Sequence, residues 1–332
     1  MGEAQNACQP EVLDSEDRSS AALPSQGVVP HAGLRHGGAR GATVGSMRAS
    51  EAIPSAQHAG GMESLVELDP EHPGFRDAQY RNRRMEIARL ALDYRSGDPV
   101  PQAAYSAEEH EIWRKIHELL FPLHKDRACR EIVDLQGVLP LSPERIPQLE
   151  DLNARLAATS GFRMEPVAGL VVARTFMRYL GRQVFLSTQY VRHHSRPLYT
   201  PEPDVIHELV GHAATLVHPA IAELSRVLGV ASEVASDEEM ARLDRVYWYT
   251  LEFGLVAEHG TPKAFGAGLL SSVGELGEFD RNAELMDWNL DRIAETPFDP
   301  TDYQGTLFVA PSFTRMICDV TAWVRTGRWR SP

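Results

Sequence analysis

The stretch from Tyr199 to His212, YTPEPDVIHELVGH, constrains this chain more than any other. It sets two histidines, His207 and His212, five residues apart in an otherwise apolar segment, with Glu208 beside the first. Forty residues past His212 another carboxylate, Glu252, sits in YWYTLEFG, where an anion among apolar side chains needs a partner. Two imidazoles and one carboxylate suit a non-haem Fe(II) centre, because three protein ligands on one face leave positions open for oxygen and substrate. An apolar wall around them keeps water away from a reactive iron–oxygen species.

The spacing has a structural cost. In zinc peptidases of the His-Glu-x-x-His type the two histidines are four residues apart, about 40° on a helix turning roughly 100° per residue. At five residues the same arithmetic gives about 140°, so both reach one metal only if the helix ends or distorts between them. Gly211, just before His212, is the residue expected to permit that. A zinc hydrolase using Glu208 as general base is the competing metal reading, and this spacing disfavours it. For the histidine pair alone, core imidazoles with backbone partners are an equal reading; Glu252 shifts the balance toward a metal.

Three blocks then carry a resemblance: RPLYTPEPDVIHELVGH from Arg196 to His212, YWYTLEFGL from Tyr247 to Leu255, and AFGAGLLSSVGE from Ala264 to Glu275. In order and spacing they resemble the pterin-dependent aromatic amino acid hydroxylases, with the phenylalanine 4-hydroxylase branch closest. The similarity runs from about His72 to Phe313. It implies the catalytic-domain fold of that family, mainly α with minor β. It also implies an iron- and tetrahydropterin-dependent monooxygenase of phenylalanine catabolism, converting L-phenylalanine to L-tyrosine with O2.

The same resemblance assigns roles. His207, His212 and Glu252 match the iron ligands. Arg192 matches the arginine that binds the substrate carboxylate, a task suited to a planar guanidinium. Thr200 and Ser271 match its hydrogen-bonding neighbours, and Pro203 and Trp248 line the aromatic pocket. Phe176 and Tyr247 match residues near the pterin ring, Leu170 the backbone beside it, and Glu208 a carboxylate facing it. Leu186 departs from the pattern, standing where the animal enzymes have histidine. Tyrosine and tryptophan remain alternative substrates. Trp248 favours the phenylalanine and tyrosine branches, and Pro300 stands where tyrosine hydroxylases carry an aspartate, although Asp299 and Asp302 lie close by.

The formal charge of −13 argues against a nucleic-acid-binding surface and against anionic membranes. No apolar run approaches the roughly 20 residues of a membrane span. Cys8, Cys129 and Cys318 show no paired metal spacing and read as free thiols of a reducing compartment, hence the cytoplasm. Residues 1–61 contain no Phe, Trp or Tyr and are expected to form a disordered, low-complexity leader, with Met62 a candidate translation start.

A single catalytic domain is expected over 62–325, followed by a tail at 326–332. Helices are predicted over Asp77–Tyr94, from a capping box at Ser106–Glu109, over Pro147–Ala158, Arg174–Leu180, Pro203–Ala214, Asp237–Glu258 and Ser312–Val324. Strands are predicted within Gln183–Tyr190 and over Thr306–Ala310, and Ala264–Leu270 is read as irregular. Trp113 reads as packing. Past Phe313 nineteen residues show no sustained heptad, so a monomer or weak dimer is expected.

Overall fold

Several helix starts in this chain are written in its capping side chains. The computed structural model describes residues 68–198, 200 and 202–330; the proposed leader 1–61 lies outside them. Asp77 accepts from the Gln79 and Tyr80 N–H groups to start α1 (Ala78–Asp93). Ser106 and Glu109 form the reciprocal capping box of α2 (Ala107–Arg127). The short α3 (Arg130–Leu135) and α4 (Leu149–Thr159) follow. Trp113 is buried and donates to the Ser142 carbonyl at 2.8 Å, a packing role.

Strand β1 (Arg163–Pro166) pairs in parallel with β2 (Val184–Ser187) across α5 (Ala173–Gly181). The predicted 183–190 strand is therefore four residues long. All four are buried, so its alternation marks no solvent face. The chain then enters a π-helical segment, His207–Ala213, continues as α6 (Ala214–Leu216), and turns into α7 (Pro219–Ser232). Helix α7 was not foreseen. Its start signal was legible, with Pro219 at the first turn and His218 capping Ala220, but apolar residues on nearly every side blur its periodicity. It lies directly on α5, where a Cβ on Gly229 would stand 2.1 Å from the Gly181 nitrogen. Only glycine permits that backbone contact.

Helix α8 (Asp237–Tyr247) opens with a second capping box, Ser236 to Glu239, and passes into a second π-helical segment, Trp248–Glu252. The predicted helix to Glu258 thus ends early: Leu255–Glu258 forms β3, because Phe253 leaves helical geometry and Gly254 carries the chain into a sheet. The stretch read as irregular is also ordered, as the end of β4 (Thr261–Ala264) and the short α9 (Ala267–Leu270). Helix α10 (Val273–Asn282), β5 (Glu284–Asp287), α11 (Leu290–Glu295), β6 (Thr306–Ala310) and α12 (Phe313–Arg325) complete the chain. The second sheet runs β4-β3-β6-β5, antiparallel only at β3–β4.

One large apolar core joins most of these elements, while Ile87 of α1 packs with Ala103 and Tyr190 in a smaller cluster. Trp113, Phe162, Phe185, Tyr249, Phe308 and Trp323 are among the largest buried side chains of the main core. Each contributes about 1.5–3 kcal/mol through burial. Past α12 the chain still packs: Trp329 is buried, donates to the Val324 carbonyl at 2.9 Å and accepts from Arg242. Among the described residues no helix is long and apolar enough to cross a membrane. Cys129 is a buried free thiol.

Candidate metal centre and its pocket

The distortion that the histidine spacing demanded is the π-helix. With hydrogen bonds reaching five residues back, His207 and His212 fall on one side of the segment. Their Nε2 atoms stand 2.9 Å apart. Gly211 serves a different purpose from the one expected. Its backbone is helical, and a Cβ there would sit 2.7 Å from the Ala267 carbonyl oxygen, so glycine is needed for close packing on α9. The second π segment ends on Glu252, whose Oε1 and Oε2 lie 2.9 Å from His212 Nε2 and 3.6 Å from His207 Nε2.

These separations fit one metal ion, since two ligands each about 2.1 Å from an ion and at right angles stand about 3 Å apart. The outer contacts fit as well. Ser271 Oγ donates to the Ala267 carbonyl at 2.8 Å and lies 2.8 Å from His207 Nδ1, so it accepts the Nδ1 proton. His207 Nε2 is then left with a lone pair toward the site. The Tyr247 hydroxyl hydrogen-bonds Glu252.

Protonation agrees with this assignment. Burial pulls His207 down to about 4, helped by the neighbouring His212. Burial alone would raise Glu252, but the His212 and His207 imidazoles and the Tyr247 hydroxyl outweigh it and hold the carboxyl at about 2. Burial lowers His212, but the Glu252 carboxylate outweighs it and raises that imidazole, so an ion entering the trio displaces a proton there. Near neutrality Glu252 is anionic and His207 neutral, the forms that bind metal.

Glu208 is the second carboxylate within reach of the imidazoles. Its Oε1 is engaged by the N–H and hydroxyl of Thr188, both at 3.1 Å, and burial raises it to about 7. Glu252 approaches both Nε2 atoms through its two oxygens, so it is the ligand that the geometry favours.

The trio opens into a cavity of about 530 Å³. All twelve residues singled out from the sequence line it: Leu170, Phe176, Arg192, Thr200, Pro203, His207, Glu208, His212, Tyr247, Trp248, Glu252 and Ser271. Leu186 lines it too. Phe176 meets Tyr247 and Phe185 edge-on, at 5.7 and 5.3 Å between ring centres. Trp248 stacks on Phe298 at 4.1 Å, nearly parallel, and its Nε1 donates to Gln304 Oε1 at 2.8 Å. Thr200 Oγ1 donates to the Glu202 carbonyl at 2.6 Å, which pins the loop at the cavity wall. Glu202 is held in turn by Arg84 of α1 at 2.8 Å.

Several lining residues were missed by the sequence reading. Glu275 lies in the wall and is raised to about 7 by burial, while accepting the Gln304 N–H at 3.0 Å. Phe298, Thr301 and Tyr303 were missed too; with Pro300 and Asp302, which the substrate comparison had named, they bring the segment before β6 to the cavity. Asp204 was also overlooked, although a buried arginine needs a carboxylate and Asp204 stood within the quoted block. Arg192 donates to both its oxygens, from Nε at 2.9 Å and Nη2 at 2.7 Å.

Residues 58–328 match the family of biopterin-dependent aromatic amino acid hydroxylases. This chain belongs to that family. It is 43% identical over 266 residues to the tyrosine 3-monooxygenase of Schistosoma mansoni, covering 79% of this chain and 57% of that protein. It is 40% identical over 276 residues to the chloroplastic phenylalanine 4-monooxygenase of Pinus taeda, covering 82% and 77%. Several of the curated relatives, the Schistosoma mansoni protein and the mammalian tyrosine 3-monooxygenases among them, are matched over only about half their length. The phenylalanine hydroxylase of Chromobacterium violaceum, solved with Fe(III) and 7,8-dihydrobiopterin, superposes with a TM-score of 0.66 at 29% identity, over 73% of this chain and 90% of that one.

Proposed function

We propose that this hydroxylase holds Fe(II) on His207, His212 and Glu252 and uses a tetrahydropterin and O2 to convert L-phenylalanine to L-tyrosine. The observation that carries the reading is the convergence of two Nε2 atoms and one carboxylate within 3.6 Å of each other at the floor of an aromatic cavity. The bound iron and pterin would together supply the electrons and the activated oxygen; the chain's residues bind, orient and exclude water.

Arg192, fixed by Asp204, meets the amino acid carboxylate, with Thr200 and Ser271 beside it. Pro203 and Trp248 hold the ring, where stacking adds about 0.5–1.5 kcal/mol beyond burial. Phe176, Tyr247, Glu208 and the Leu170 backbone form the pterin side of the cavity. The catalytic unit is residues 62–325, acting as a monomer or weak dimer in the cytoplasm. Sedimentation at micromolar concentration tests the assembly; a stable tetramer would refute it.

Phenylalanine is preferred because Pro300 lines the cavity where an aspartate would favour tyrosine. A tyrosine hydroxylase is the second reading, supported by the curated relatives of that activity and by Asp302 in the cavity wall. The deciding experiment offers phenylalanine and tyrosine separately with Fe(II) and a tetrahydropterin. Tyrosine formed from phenylalanine supports the first reading, and dihydroxyphenylalanine as the sole product overturns it.

A further inference from the structure

A second cluster of metal-type donors lies where the start of α1 meets the segment after β2. Asp77, His193 and His194 each bring a ligand atom within 4.8 Å of the others. None of the three lines the cavity described above. Sequence reading passed over them because two adjacent histidines and an aspartate 116 residues away share no spacing motif.

The three differ in freedom. His193 is buried, with Nε2 3.2 Å from Asp77 Oδ2 and Nδ1 2.7 Å from Ser195 Oγ. Its Nδ1 accepts the Ser195 N–H at 3.2 Å, so the ring proton sits on Nε2 and points at Asp77 Oδ2, the place between the two that a metal ion would take on displacing it. The Tyr80 ring closes the other side edge-on at 4.9 Å. Asp77 is anchored through Oδ1, which accepts the Gln79 and Tyr80 N–H groups, so Oδ2 is the oxygen directed at the cluster. His194 is half exposed, its ring centre 4.2 Å from that of His193, and it provides the open side by which an ion enters. Glu108 Oε1 stands 3.8 Å from His194 Nδ1, placing a carboxylate where it can orient that ring or add a ligand.

We propose that Asp77, His193 and His194 form a second metal site that takes a borderline divalent transition ion such as Zn(II) or Co(II). Two imidazoles and a carboxylate select this class over Mg(II) or Ca(II), which prefer all-oxygen shells. Water completes the coordination on the His194 side. The site lies next to Arg192 in sequence, so an ion there clips the first turn of α1 to the segment carrying that arginine. It stabilises the folded chain by mass action, independently of what the cavity catalyses.

The test is a calorimetric titration of the iron-loaded full chain with Zn(II), with iron content measured before and after. One further equivalent of Zn(II) bound without loss of iron, with a melting temperature that rises with Zn(II), is the expected result. His194→Ala, at an exposed position, should keep fold and iron but weaken this equivalent by about tenfold or more. Asp77→Asn retains an oxygen for the cap and should weaken it likewise. No further equivalent, Zn(II) uptake matched by iron release, or an equivalent unaffected by both substitutions would overturn the proposal.

Discussion

Arg192 and Asp204 form a fully buried pair, two nitrogens on two oxygens, and the Arg192 N–H adds a third bond to the same carboxylate at 2.8 Å. The arginine proposed to meet the substrate carboxylate is thus immobilised in advance, and a substrate bound there need not order it. Asp204→Asn keeps the shape but leaves a buried guanidinium without its counter-charge. It should cost about 3–5 kcal/mol of stability and raise the KM for phenylalanine at least as much as Arg192→Lys does, while iron content stays near one per chain. Denaturant midpoints, steady-state kinetics and iron assays check this; an unchanged KM in both variants would remove Arg192 from substrate binding.

Glu252→Gln should produce the opposite pattern. It preserves volume and removes the anion, so iron loading and turnover fall together while the binding of phenylalanine is retained. Iron stoichiometry at fixed Fe(II) is the measurement. A variant that loads iron and hydroxylates like the parent would show that Glu252 is not a ligand.

Gln304 holds Trp248 through the indole N–H and is itself held by the Asp299 and Asp302 carbonyls, at 2.9 and 3.0 Å. Gln304→Leu leaves the half-buried indole donor without its protein partner, at about 1 kcal/mol, and frees the ring that lines the pocket. Its KM should rise about tenfold with kcat changing less. Equal losses in kcat and kcat/KM would instead assign Gln304 to the transition state.

The stability of the chain should carry a pH signature from Glu275, which burial raises from 4.5 to about 7. Below pH 4.5 the group is protonated in both folded and unfolded chains and contributes nothing. Between 4.5 and about 7 the unfolded chain has released the proton and the folded chain has not, so stability falls as pH rises and then levels off. The loss is about 3 kcal/mol at most. Glu275→Gln should flatten this slope in denaturant titrations across that window; an identical slope in the variant would rule it out.

A chain beginning at Met62 should keep its thermal stability, and turnover within about twofold, because a segment without aromatic residues has little with which to pack. The family match begins at residue 58, close to that start. Loss of either property on truncation would show that residues 1–61 contribute to the domain.

What the sequence determined by itself was the chemistry and the local starts. The donor types at 207, 212 and 252 were legible because few side chains can serve as metal ligands, and the structure brings the three together. The α1, α2 and α12 starts were legible because Asp77, Ser106 and Ser312 cap their own helices within three residues. Tertiary structure alone decided the rest. The two π segments cannot be read from a periodicity, since they exist only where packing against α9 and the cavity overrides the α-helical repeat. Gly211 illustrates this: its role depends on Ala267, fifty-six residues further along the chain. Asp204 beside Arg192, Gln304 beside Trp248, and the Asp77, His193 and His194 cluster are likewise contacts between distant or irregular segments. No local pattern encodes them, because each depends on where the fold brings a carboxylate or amide beside a side chain from another segment.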